Sequence, residues 1–130
     1  MTTLLIQDSR SLLTGPPSAQ LPVMGKITTH VLDTASGNPA DGVRVRLFLG
    51  EQLLTDTHTN ADGRCDAPLC VDAPAGEYEL LFSIGDYFRR RGHESPFLNE
   101  VPVRFSAAAG RDHHVPLVCS PFAYSTYRGS

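Results

Sequence analysis

The chain has 130 residues, 41% of them hydrophobic. This is enough for one domain with a buried core, and the apolar runs fall far short of the ~20 residues of a membrane-spanning helix. Its 11 basic and 14 acidic residues leave a formal net charge of -3, which argues against nucleic-acid binding because that function needs a basic face.

Residues 1–24 are predicted to be an N-terminal extension, since Thr14–Pro22 has the composition of a linker. One helical turn is expected at Ile6–Leu13. The apolar run Leu4–Ile6 is interrupted at once by polar residues and follows no basic segment, so it is not typical of a signal peptide. The chain also ends without a peroxisomal Ser-Lys-Leu address, and we therefore expect a cytoplasmic location.

Short β-type segments follow from residue 25 onward, separated by stretches typical of turns, the first of which is Ser36–Pro39. Val43–Leu49 begins with strict alternation of apolar residues and arginine, as a half-buried strand does, and Pro102 in Val101–Phe105 indicates an edge strand. The pattern favours an all-β sandwich or barrel formed by residues 25–130. The other predicted elements are strands at Lys26–Asp33, Leu53–Thr59, Glu77–Ile84, His113–Cys119 and Ala123–Arg128, and a helical turn at Gly85–Arg91.

Histidine and arginine side chains are the candidates for chemistry. His30 lies inside a predicted strand, where a histidine is more often a hydrogen-bonded structural residue than a catalytic one. His113 and His114 are adjacent on a strand, so their rings face opposite sides; at most one joins a given site, and the other is expected to be solvated. Arg64 follows the turn Asn60–Gly63, which either leaves a plain surface arginine or aims a guanidinium at an anionic or carbonyl-rich ligand.

The remaining polar residues predict no metal or cofactor. The three cysteines are an odd number, which favours reduced thiols. Cys65 and Cys70 lack the Cys-x2-Cys spacing of zinc sites, and no His-x3-His pair occurs. Phosphate-binding loops and the Gly-x-Ser-x-Gly nucleophile motif are also missing from the sequence. Arg89–Arg91 is expected to be a solvated turn.

Three motifs together resemble the transthyretin-like family. Ile27–Thr34 followed by Gly37-x-Pro39-Ala40 resembles the family's opening strand. The second motif matches Thr59–Arg64, and the third matches His114–Leu117 with Ser120–Ser130. The resemblance covers residues 25–130 and leaves residues 1–24 outside.

The closing Tyr-Arg-Gly-Ser is typical of the hydrolase branch of that family. The hormone-carrier branch has lysine, glutamate and threonine at the positions of His30, Arg64 and His114. The resemblance therefore implies an enzyme of urate degradation that hydrolyses 5-hydroxyisourate to 2-oxo-4-hydroxy-4-carboxy-5-ureidoimidazoline without a cofactor. A non-catalytic small-ligand carrier and a plain β-sandwich interaction module remain as alternatives.

The resemblance also implies a fold and a site. The fold is a sandwich of two four-stranded sheets with one short helix, assembled into a homotetramer with sites at the dimer–dimer interface. His30 and His114 would transfer protons and position water, while Arg64 would hold the substrate and stabilise developing charge. Ser130, with its side chain and terminal carboxylate, would be the fourth catalytic residue. Substrate binding would further involve Tyr127, Arg128 and Gly129, with Gly129 allowing a sharp turn of the backbone.

Overall fold

The computed structural model describes residues 25–129 and contains eight strands and one helix in that part of the chain. These elements are β1 (Ile27–Asp33), β2 (Asn38–Pro39), β3 (Arg44–Leu49), β4 (Gln52–His58), β5 (Gly76–Ser83), α1 (Ile84–Arg90), β6 (Glu100–Ala107), β7 (His113–Cys119) and β8 (Tyr124–Thr126). They form two four-stranded sheets with the orders β2-β1-β7-β8 and β4-β3-β5-β6. The predicted β-sandwich with one short helix is confirmed. The extension at residues 1–24, with its predicted turn at Ile6–Leu13, and Ser130 lie outside the described residues.

The core lies between the two sheets and follows from alternation along the strands. In β1 the odd-numbered residues Ile27, Thr29, Val31 and Asp33 are buried, whereas the even-numbered residues are half-buried. Tyr78, Leu80 and Phe82 alternate in the same way along β5 and are fully buried. Burial of each such large apolar side chain contributes about 1.5–3 kcal/mol. The even-numbered residues of β1 consequently occupy the outer face of their sheet.

The central pair of the first sheet is parallel. Thr28 of β1 lies opposite His114 of β7, and His30 lies opposite Pro116. This register brings together the first and last motifs of the sequence. At the edge of the other sheet, β6 pairs with β5, and Pro102 lies within β6, as the sequence predicts for an edge strand.

One sequence expectation was wrong. Asn38–Pro39 was expected to belong to a turn, but it forms β2, which pairs antiparallel with the end of β1 after Gly37 reverses the chain at a φ of 78°. Arg89–Arg91 is exposed, as expected, and Arg89 and Arg90 form the last turn of α1, which matches the helical turn predicted at Gly85–Arg91. Arginine is favourable there because the exposed carbonyls at a helix C-terminus carry partial negative charge.

Candidate active site

An open cavity of about 550 Å³ lies on the outer face of the β2-β1-β7-β8 sheet. Its lining includes five of the residues that the sequence predicts for the site: His30, Arg64, His114, Tyr127 and Gly129. Both histidines are half-buried, and Arg64 is exposed. The structure therefore brings together residues from β1, a loop, β7 and the C-terminal segment.

The turn before Arg64 is docked directly on β1. The side-chain carbonyl of Asn60 accepts a hydrogen bond from the Arg64 amide at 3.3 Å, and the Val31 amide donates to the Gly63 carbonyl at 2.8 Å. Gly63 has a φ of 75°, and a Cβ there would lie 2.5 Å from the Val31 carbonyl oxygen. Because no larger residue fits, glycine lets the turn approach β1 closely enough for Arg64 to line the same cavity as His30.

Thr28, on the neighbouring strand of the same sheet, contacts the ring of His114. The Thr28 hydroxyl oxygen lies 2.9 Å from Nδ1 of His114. Burial lowers the pKa of His114 below its usual 6.5, and the charges of Arg64 and His30 lower it further. These effects favour the neutral ring, which has one protonated nitrogen and one nitrogen that accepts.

The C-terminal segment folds back onto His114. The Gly129 amide donates to the His114 carbonyl at 2.8 Å, and a Cβ on Gly129 would lie 3.0 Å from Cγ of the His114 ring. Gly129 was expected to serve a sharp turn, but it is not among the glycines with positive φ. The absence of a side chain, rather than a special backbone conformation, is what allows this segment to approach His114.

The other predicted residues of the C-terminal segment are placed differently. Tyr127 lines the main cavity and also a neighbouring cleft of about 320 Å³. Arg128 lines that cleft together with Val103 and Phe105 of β6, and it is not part of the cavity that contains His30. Ser130, the fourth predicted catalytic residue, lies outside the described residues.

His113 and His114 have different surroundings, as their adjacent positions on β7 predict. The His113 ring centroid lies 6.3 Å from that of Phe105 on the opposite sheet, and its Nδ1 lies 3.1 Å from the Arg111 carbonyl oxygen. The second histidine, which was expected to be solvated, is partly so: His113 is half-buried against Phe105 and also lines the neighbouring cleft.

Three residues of the cavity were missed from the sequence: Lys26, Thr28 and Asp112. Period-2 alternation places Thr28 on the same face as His30, so its position was available as a signal. The backbone amide of Lys26 donates to Oδ1 of Asp112 at 2.9 Å. That contact depends on the pairing of β1 with β7, which no local pattern encodes.

Within residues 25–129, no cluster of three or more histidine, cysteine or acidic side chains is arranged to hold a metal ion. The cysteines are free thiols, with Cys119 buried and Cys65 and Cys70 half-buried. α1, with 7 residues, is too short to cross a membrane, and no other helix occurs in the described part of the chain.

Comparison with known proteins identifies relatives across nearly all of the described region. A 5-hydroxyisourate hydrolase of Mesorhizobium japonicum is 51% identical over 115 residues, covering 82% of this chain and 93% of the relative. The structure of Klebsiella pneumoniae 5-hydroxyisourate hydrolase matches with a TM-score of 0.71 and 37% identity, covering 82% of this chain and 99% of that one.

Two further solved structures share the fold. A crystal structure of (S)-allantoin synthase matches with a TM-score of 0.77 and 38% identity, covering 84% of this chain but 45% of that one. Sea bream transthyretin in complex with thyroxine matches with a TM-score of 0.73 and 26% identity, covering 80% of this chain and 94% of that one. The sequence model of the HIUase/Transthyretin family matches residues 27–129, and the chain therefore belongs to this family.

Proposed function

We propose that this protein is a cyclic amide hydrolase that opens the ring of 5-hydroxyisourate in urate degradation, giving 2-oxo-4-hydroxy-4-carboxy-5-ureidoimidazoline. The observation that carries the proposal is the convergence of His30, Arg64 and His114 on one cavity. The 51% identity to a protein named for this activity supports the same conclusion.

The chemistry requires water to attack a carbonyl carbon and a carbon–nitrogen bond to break. A histidine with a pKa near neutrality is suited to take a proton from the water and to return it to the leaving nitrogen. Arg64 carries a fixed positive charge at the cavity and would stabilise the oxyanion that forms on the attacked carbonyl oxygen. No acylated residue is needed in this reaction, since water itself is the nucleophile.

The C-terminal residues complete the proposed site. Gly129 contacts His114 directly, and Tyr127 lines the cavity with its side chain 60% exposed. We assign both to substrate binding, together with Arg128 from the neighbouring cleft. Ser130 is proposed as the fourth catalytic residue on the family resemblance alone.

A homotetramer with sites at the interface between dimers belongs to the same proposal. In the described residues β6 and β8 are edge strands, each with one neighbour, and an unpaired edge can pair with a second chain. Phe97 is 71% exposed and Phe122 is 62% exposed. Large exposed aromatic side chains of this kind are typical anchors of protein interfaces. The cytoplasmic location predicted from the sequence stays a prediction.

A kinetic assay tests the activity. 5-Hydroxyisourate is generated from urate with urate oxidase, and its decay is followed spectroscopically with and without the protein. We expect strong acceleration, and a loss of about 10²–10⁴-fold in His30→Ala, Arg64→Ala or His114→Ala. His58→Ala is the matched control, since His58 is exposed at the end of β4 on the other sheet.

The same assay separates the enzyme from a carrier. A carrier would bind the compound and leave its rate of decay unchanged. Wild-type protein that does not accelerate the decay would overturn the proposed hydrolase, and a normal rate in one of the three variants would remove that residue from the mechanism.

A further inference from the structure

The Thr28 hydroxyl has an unusual partner. Thr29, Thr55 and Thr126 each donate to a backbone carbonyl oxygen, at 2.7, 2.6 and 2.7 Å. Within residues 25–129, the hydrogen bond of the Thr28 hydroxyl goes instead to a ring nitrogen, Nδ1 of His114, at 2.9 Å. The two residues lie directly opposite each other on the parallel strands β1 and β7.

We propose that Thr28 is a positioning residue that donates its hydroxyl proton to Nδ1 of His114 and so holds the ring in the tautomer protonated at Nε2. The inference rests on the proposed function and deepens it by dividing the work between the two histidines. His114 becomes a hydrogen-bond donor toward the substrate, and His30 becomes the base that accepts the proton of water.

The charges around His114 favour a neutral ring. His30 faces the cavity from β1, Lys26 from the residue before β1, and Arg64 from the docked turn. Asp112, which precedes β7, is the one carboxylate lining the cavity among the described residues, and its Oδ1 already accepts the Lys26 amide. The permanent positive charge of Arg64 opposes a second proton on His114.

A neutral imidazole has one protonated and one unprotonated nitrogen. The contact with Thr28 therefore decides which of the two nitrogens carries the proton. A hydroxyl can rotate to donate, and donation by Thr28 satisfies the bare Nδ1 within the sheet. The ring N–H then remains available at Nε2, where it can donate to an oxyanion, and hydrogen bonds to a charged acceptor are stronger than neutral ones.

Hydrolysis then proceeds in two steps. His30 takes one proton from water as the water oxygen bonds to the carbonyl carbon. Arg64 and the Nε2–H of His114 donate hydrogen bonds to the oxyanion. The carbon–nitrogen bond then breaks, and the leaving nitrogen takes the proton from His30. His114 keeps its Nε2 proton throughout because it acts only as a hydrogen-bond donor. The fixed tautomer keeps this donor available to the oxyanion.

Nitrogen-15 NMR of histidine-labelled protein tests the tautomer directly, with the His114 signals assigned by their loss in His114→Gln. We expect wild-type His114 to show an unprotonated Nδ1 and a protonated Nε2. Thr28→Val keeps the shape of the side chain but removes the donor, so we expect a mixture of tautomers. Its kcat should fall about tenfold, the equivalent of one hydrogen bond, with KM nearly unchanged.

Thr28→Ser retains the hydroxyl and should restore both the single tautomer and kcat. Thr57→Val, on β4 of the other sheet, controls for loss of a strand hydroxyl in general. A protonated Nδ1 in the wild type, or a Thr28→Val variant with unchanged NMR signals and kcat, would overturn the inference. The spectra need no substrate, so they decide the role of Thr28 even if the wild type fails to hydrolyse 5-hydroxyisourate, which would overturn the proposed function instead.

Discussion

The phenolic oxygen of Tyr87 donates a hydrogen bond of 2.9 Å to Oδ2 of Asp33, and both side chains are buried. Asp33 ends β1 and also accepts from the backbone amides of Ala35 and Ser36 at 2.8 and 3.2 Å. Tyr87 belongs to α1, which directly follows a strand of the opposite sheet. The bond therefore ties α1 to the end of the strand that carries His30.

Loss of this bond should destabilise the fold without disturbing the site. Tyr87→Phe leaves the buried Asp33 carboxylate without one of its donors, and we expect the free energy of unfolding to fall by about 1–3 kcal/mol. Urea denaturation at neutral pH measures the change. Tyr124→Phe is the control, because Tyr124 is 45% exposed. Equal stability of the two variants would contradict the structural importance of the bond.

Tyr87 should also make stability depend on alkaline pH. Burial raises its pKa from 10 to about 12, with a smaller contribution from its bond to Asp33. Because the pKa of Tyr87 is higher in the folded state than in the unfolded state, the protonated side chain stabilises the fold. This contribution to the free energy of unfolding is fully present below pH 10 and is lost as the pH rises toward 12. The difference in unfolding free energy between wild type and Tyr87→Phe should therefore shrink across this range. A constant difference would contradict the assignment.

Arg64 should influence the titration of His114. Burial is the larger cause of the lowered His114 pKa, and the charge of Arg64 is the second. Arg64→Gln should therefore raise this pKa while leaving it below 6.5, as measured by NMR titration. Arg44→Gln, an exposed arginine on the other sheet, should leave the pKa unchanged. No shift in Arg64→Gln would show that the guanidinium does not act on the ring.

Gly129→Ala should impair activity through His114. The added Cβ would come within about 3 Å of the ring, so either the ring or the C-terminal segment must move. We expect kcat/KM to fall by tenfold or more, since a displacement of about 1 Å at a reacting group can cost about 100-fold. The thermal unfolding midpoint should change little. Full activity in this variant would mean that the close contact is not required.

The proposed assembly can be tested at its exposed aromatic side chains. Light scattering of the wild type should give the mass of four chains of 14.1 kDa. Phe122→Asp should reduce that mass, because a charge would be buried without a partner in the interface. Leu53→Asp is the control, since Leu53 is 48% exposed on β4 of the other sheet. A wild-type protein of monomeric mass would overturn the proposed tetramer.

Local sequence determined most of the strands and the residue types of the site. Alternation in β1 and β7 predicts which residues share a face, because successive side chains of a strand point to opposite sides. The motif around Arg64 predicts a turn, since asparagine and glycine favour the backbone conformations that a turn needs. The same local rules failed at Asn38–Pro39, where pairing with β1 overrides a composition typical of turns.

Only the tertiary structure decided which of these residues come together in one cavity. Thr28 and His114 are 86 residues apart and become neighbours through the parallel pairing of β1 and β7. Arg64 reaches the cavity because its turn docks on Val31, whereas Arg128 lines the neighbouring cleft. A strand's own residues specify its two faces, but its partner and register depend on burial and hydrogen bonding across the whole sandwich.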